Sequence, residues 1–176
     1  MNLSNARRQA DALVAKYAIK TPPVDVRDVA KRLGLRVIEM NLGDDHSGLL
    51  LTQPGTVPCI VVNEAHHEKR KRFTIGHEIG HHVLRHHFGN SVVHADPVTS
   101  VSYRGATAAA GTDPKEIAAN QFASSLLMPT ALMRRAVDRV RTRLARDPEE
   151  VVAELAHGFE VSEQAMTLRL KSLRLL

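Results

Sequence analysis

Apolar residues recur at helical spacing at the start of the chain. Ala6, Ala10, Leu13, Val14 and Tyr17 share one side of residues 4–18. Pro22-Pro23 ends that element, and Asp25 can cap a second helix that Gly34 closes. Three short runs then lose the helical period. Residues 35–40, 47–52 and 58–62 read as strands of a small antiparallel or mixed sheet. From Glu64 to Phe88 there is no proline, and with Asn63 as a suitable N-cap the stretch reads as one long helix. Residues 89–112 show no period and read as a long loop of the kind that is often functional. Asp113-Pro114 opens a helix to about Met128, and Thr130 caps another to about Arg146. Asp147-Pro148 begins a third that ends at Gly158, and Ser162 caps the last. The expected class is α+β: a small three-stranded sheet packed on a long helix, with several further helices.

The chain has 176 residues, enough for one domain with its own core. The expected division is a domain over residues 1–146 with a helical pair, 147–176, packed on it. Aromatic residues are only 3% and tryptophan is absent, so the core must be aliphatic and stacking platforms for bases or sugars are not expected. The single Cys59 excludes an internal disulfide or a Cys-rich zinc finger and reads as a small buried hydrophobe. No segment has the length of a signal peptide core or a membrane span, and a soluble cytoplasmic protein is expected. The net charge of +5 gathers in Lys69–Arg72 and in Arg134, Arg135, Arg139, Arg141, Arg143 and Arg146. Such runs read first as solvated helix faces, with nucleic-acid contact as the other reading.

Seven of the ten histidines fall between positions 66 and 87. Within that stretch His77-Glu78-Ile79-Gly80-His81 is an HExxH motif. On a helix, residues four apart share a face, so both imidazoles can reach one ion while Glu78 stands beside it as general base. Zinc suits such a site, with an open fourth position for water. His82 and His86 are also four apart, but Val83 stands where a base would be needed. Those two and His87 read as surface or supporting histidines. Gly80 makes sense where the helix must approach other backbone closely. Glu116 and Asn120 offer a third ligand and a partner for the far nitrogen of a ligating histidine. Asp113-x-x-Glu116 is equally a capping-box pattern, so Glu116 reads as cap or ligand.

Arg72–His81, Glu116–Ala123 and Leu126–Pro129 together resemble the ImmA/IrrE family of zinc metallopeptidases, over roughly residues 24–130. The resemblance implies a compact zincin of the gluzincin type. It implies His77, His81 and Glu116 as ligands of one zinc ion per chain, and Glu78 as the base. Family members are typically intracellular and cut a helix-turn-helix repressor to derepress genes. Many belong to mobile elements and some to stress responses. The oxyanion stabiliser is not set by the resemblance. Tyr103 and His94 are candidates because each can donate a hydrogen bond, and both also read as surface residues.

Residues 155–170 have the rhythm of a helix-turn-helix, with Gln164, Thr167 and Lys171 on the side that would read DNA. The apolar set Val161, Ala165, Met166, Leu168, Leu170 and Leu173 reads first as a pair that packs on the core or docks a repressor. Two functions follow. One is a zinc endopeptidase acting on a repressor, whose scissile segment adds as a strand, for which 47–52 is the candidate edge. The other is a non-catalytic, zinc-stabilised regulator that binds DNA or a partner.

Overall fold

A computed structural model describes residues 3–86, 93–97, 113–143 and 147–176. Two helices, α1 (Leu3–Lys16) and α2 (Val26–Arg32), precede three strands, β1 (Arg36–Met40), β2 (His46–Leu51) and β3 (Cys59–Asn63). The helix α3 (Glu68–Val83) follows, then a strand β4 (Val93–Pro97). Four helices complete the chain: α4 (Pro114–Leu127), α5 (Thr130–Arg143), α6 (Pro148–Phe159) and α7 (Glu163–Ser172). The class is α+β, as the apolar pattern predicts.

The sheet is mixed, with strand order β1-β3-β2-β4 among the described residues. β3 is central and buries Ile60, Val61 and Val62. β1 pairs with it in parallel and β2 antiparallel. β4 extends the sheet beyond the three expected strands, antiparallel to β2 with His94 opposite Leu50. It lies within the segment read as a continuous loop. It also makes β2 an interior strand, so 47–52 is not the edge at which a substrate strand could add.

The cap chemistry acts as read at most helix starts. Asp25, Asp113, Asp147 and Ser162 each accept a backbone N–H from the first turn. Two starts differ from that reading: α5 takes Thr130 as its first residue and not as its cap, and α3 starts beyond Asn63. The Asn63 side chain donates to the carbonyls of Gly43 and His46, tying the β1–β2 connection to the end of β3. Its Oδ1 accepts from the Ala65 N–H in a turn, and the helix begins later, with His67 as its N-cap through Nδ1. It also ends earlier than expected, with Leu84 as its cap.

One contiguous core joins both ends of the chain. Ile60, Ile75 and Ile79 from the strands and α3 belong to the same cluster as Phe122 and Leu126 of α4. Phe159, Met166 and Leu170 of the terminal pair belong to it as well. Arg169 of α7 is buried and donates from Nε to the Met128 carbonyl at the end of α4. Burial and the neighbouring Arg7 pull its guanidinium down to about 10, with Asp11 opposing them.

Candidate metal centre

Two close approaches build the site. Gly48 of β2 lies against α3 so tightly that a Cβ there would stand 2.4 Å from Thr74 Cγ2 and 3.7 Å from Glu78 Oε1. On the other side α3 crosses α4 at Gly80. A Cβ at Gly80 would stand 3.2 Å from the Cα and carbonyl oxygen of Ala119 and from Phe122 Cβ. The close backbone approach expected of Gly80 is thus present. It places the first turn of α4, with Glu116, over His77 and His81.

Glu116 presents one oxygen 3.1 Å from His77 Nε2 and the other 3.4 Å from His81 Nε2. The two Nε2 atoms are 2.8 Å apart. Asp113 caps α4 through Lys115 N–H, while the Glu116 carboxylate faces the histidines. His77 and His81 are buried, and Glu116 is half-buried. Burial pushes the Glu116 carboxyl up. Hydrogen bonds and positive charge from His77 and His81 outweigh that and hold it well below the usual carboxylate range.

The donor set fits a divalent cation. His77 Nδ1 lies 2.9 Å from Asn120 Oδ1, and an amide oxygen only accepts, so Nδ1 carries the proton. Nε2 is left to face Glu116, and on giving up its proton it would offer a lone pair to a cation. One ligand atom each from His77, His81 and Glu116 lies within 4.8 Å of the others, so the group could hold a metal ion. Ligands around a tetrahedral zinc stand about 3.4 Å apart, near the separations seen here.

Glu78 is fully buried between α3 and β2. His86 is the neighbour that the HExxH spacing does not show. It is buried, with Nδ1 2.9 Å from His81 Nδ1. A histidine just beyond the motif was the only signal for it. His82 is half-buried, and burial lowers its basicity. Cys59 is half-buried rather than buried, and burial pushes its thiol up. Tyr103 and most of residues 89–112 lie outside the described residues, as does His87. His94 is placed by its backbone in β4, and its side chain lies outside the described set.

A model of the IrrE N-terminal-like domain, Peptidase M78, matches residues 30–171. The chain belongs to this family. The match to this IrrE-like, peptidase-type domain includes the whole candidate centre and runs through α6 into α7. A Mycobacterium tuberculosis transcriptional regulator shares the fold at a TM-score of 0.60 and 17% identity, over 95% of this chain and 46% of that one. The chain thus spans under half of that regulator's length. No curated protein matches the chain. Among the described residues, no helix is long and apolar enough to cross a membrane.

Proposed function

We propose that this IrrE-like domain is a zinc-dependent endopeptidase acting on a protein, with a helix-turn-helix repressor as the substrate class and gene derepression as the result. The observation that carries the reading is the convergence of His77, His81 and Glu116 on one point, with Glu78 next along the same helix. In this reading the three converging residues are the ligands of one zinc ion. The bound ion would supply Lewis acidity and lower the pKa of a water molecule to near neutrality. Asn120 accepts from His77 and fixes its tautomer. Glu78, desolvated and next to His77, takes a proton from the attacking water and returns it to the leaving amine. A stationary metal alone has no need of a buried glutamate at that position. The substrate segment would add at β1 or β4, the outer strands among the described residues, since β2 is enclosed. Residues 1–146 and the pair 147–176 act as one unit in this reading.

The test is cleavage of a purified candidate repressor by wild type and by Glu78→Gln. We expect a loss of at least about 100-fold in rate, the scale of general acid–base catalysis, with zinc still bound. Undiminished cutting by the variant would overturn the mechanism.

A second reading, a non-catalytic regulator, draws on the exposed Arg134, Arg135 and Arg139 of α5 and on the regulator that shares the fold. Sequence-dependent DNA binding with a steep salt slope would favour it. Weak and uniform binding would favour the peptidase.

A further inference from the structure

Among the described residues, five helices end in the same chain reversal. A residue with φ near +54° or a glycine follows the last turn, and two backbone bonds close behind it. The N–H after the reversal reaches back five residues, and the reversing N–H reaches back three. The outer bonds are Ile19 to Val14, Leu35 to Ala30, His86 to His81, Val161 to Ala156 and Leu175 to Leu170. The reversing residues are Ala18, Gly34, Arg85, Glu160 and Arg174, all at positive φ. This geometry folds the outer pair together, ordinarily as a hydrophobic contact. Four of the five pairs here are apolar. The pair at the end of α3 is two histidines.

That exception falls on a residue of the candidate metal centre. The His81 and His86 rings meet edge to face, with centroids 4.9 Å apart and an angle of 75°. Their Nδ1 atoms are 2.9 Å apart, so one donates and the other accepts. For His81 Nε2 to offer a lone pair beside Glu116, the proton of a neutral ring must sit on Nδ1. His86 Nδ1 is then the acceptor, and His86 carries its own proton on Nε2.

We propose that His86 is a positioning residue for the metal centre: it accepts the Nδ1–H of His81 and holds that ring with Nε2 toward the position shared with His77 and Glu116. It does for His81 what Asn120 does for His77. The proposal rests on the reading of His77, His81 and Glu116 as metal ligands. His86 is not itself a ligand in this arrangement, because its near nitrogen is already committed to His81.

Two variants of the full chain separate positioning from packing. His86→Leu restores the apolar pair of the other four helix ends and removes the acceptor. His86→Asn places an amide oxygen about where Nδ1 stood. Zinc affinity is measured by competition with a chromophoric chelator, and thermal midpoints are measured on the metal-free proteins. We expect His86→Leu to keep the metal-free midpoint but bind zinc about 10- to 100-fold more weakly, the usual effect of losing such a partner. His86→Asn should recover most of that loss. Wild-type affinity in His86→Leu would overturn the role of His86 while leaving the metal site standing. Equal weakening in both variants would also overturn it, because the acceptor would then not matter. Failure of the wild type to bind zinc would overturn the metal reading beneath it.

Discussion

Glu39 shows how a single carboxylate on this surface couples to pH. Its carboxyl is held below the ordinary glutamate range, chiefly by the hydrogen bond from Lys71, against a small opposing effect of burial and with help from Arg27. A carboxyl whose folded pKa is depressed stabilises the fold above its unfolded pKa. That contribution disappears as pH falls through the folded value. The stability gap between wild type and Glu39→Gln should therefore be present at neutral pH and close on acidification below about pH 4. Thermal melts across that range check it, and added salt should narrow the gap in part, because Glu39 reaches solvent while Lys71 is buried. Asn120 offers a second residue-scale outcome. Asn120→Ala removes the acceptor from His77 and should weaken zinc binding about 10-fold, read by chelator competition. Unchanged affinity would show that His77 needs no such partner.

At the scale of elements, the crossing of α3 and α4 decides whether the centre can assemble. Gly76 and Gly80 both face α4, but their clearances differ. A Cβ at Gly76 would meet Ala123 at 3.4 to 3.5 Å, ordinary contact, whereas one at Gly80 would press on helix backbone at 3.2 Å. Gly76→Ala should therefore gain up to about 1 kcal/mol from helix propensity. Gly80→Ala should lose roughly 1–3 kcal/mol to overpacking, enough to cancel or exceed the same gain. It should also loosen zinc binding by moving Glu116. Denaturant melts with and without zinc test both. A Gly80→Ala protein more stable than Gly76→Ala would contradict the packing argument.

The same crossing explains what could be read from sequence. The periodic helices, the aspartate and serine caps and the first three strands were legible because each depends on near neighbours in the chain. Asn63 misled because its Oδ1 accepts from Ala65 in a turn that does not run on as helix, while its amide serves the Gly43 and His46 carbonyls. Val93–Pro97 carries no clear alternation and ends in proline, so its pairing with β2 had no local signal. His77 and His81 follow from spacing. Whether Glu116 caps a helix or faces the histidines depends on how near two helices approach, and His86 depends on Arg85 adopting a left-handed backbone.

At the scale of the molecule, the terminal pair is tied to the rest by a buried cation. Arg169 holds the end of α4 through Met128 and reaches Thr130, while its Nη1 has no hydrogen-bond partner among the described residues. Arg169→Ala should cost roughly 2–5 kcal/mol, through lost packing and an unsatisfied carbonyl. Arg169→Met keeps most of the volume and removes the cost of burying charge, so it should be much closer to wild type. Equal losses in the two variants, measured by denaturant unfolding, would refute that division. Zinc should raise the thermal midpoint of the whole protein with the logarithm of free zinc once that exceeds its Kd, and Glu116→Gln should blunt the rise.

His77 and Asn120 stand 43 positions apart in the chain. A ribosome therefore releases both histidines of the motif well before the segment that carries Glu116 and Asn120. During synthesis, the emerging polypeptide can offer a metal only two of its three donors. The candidate metal centre is complete only when the second segment has emerged and docked, so its full donor set belongs to the folded chain and not to the nascent one.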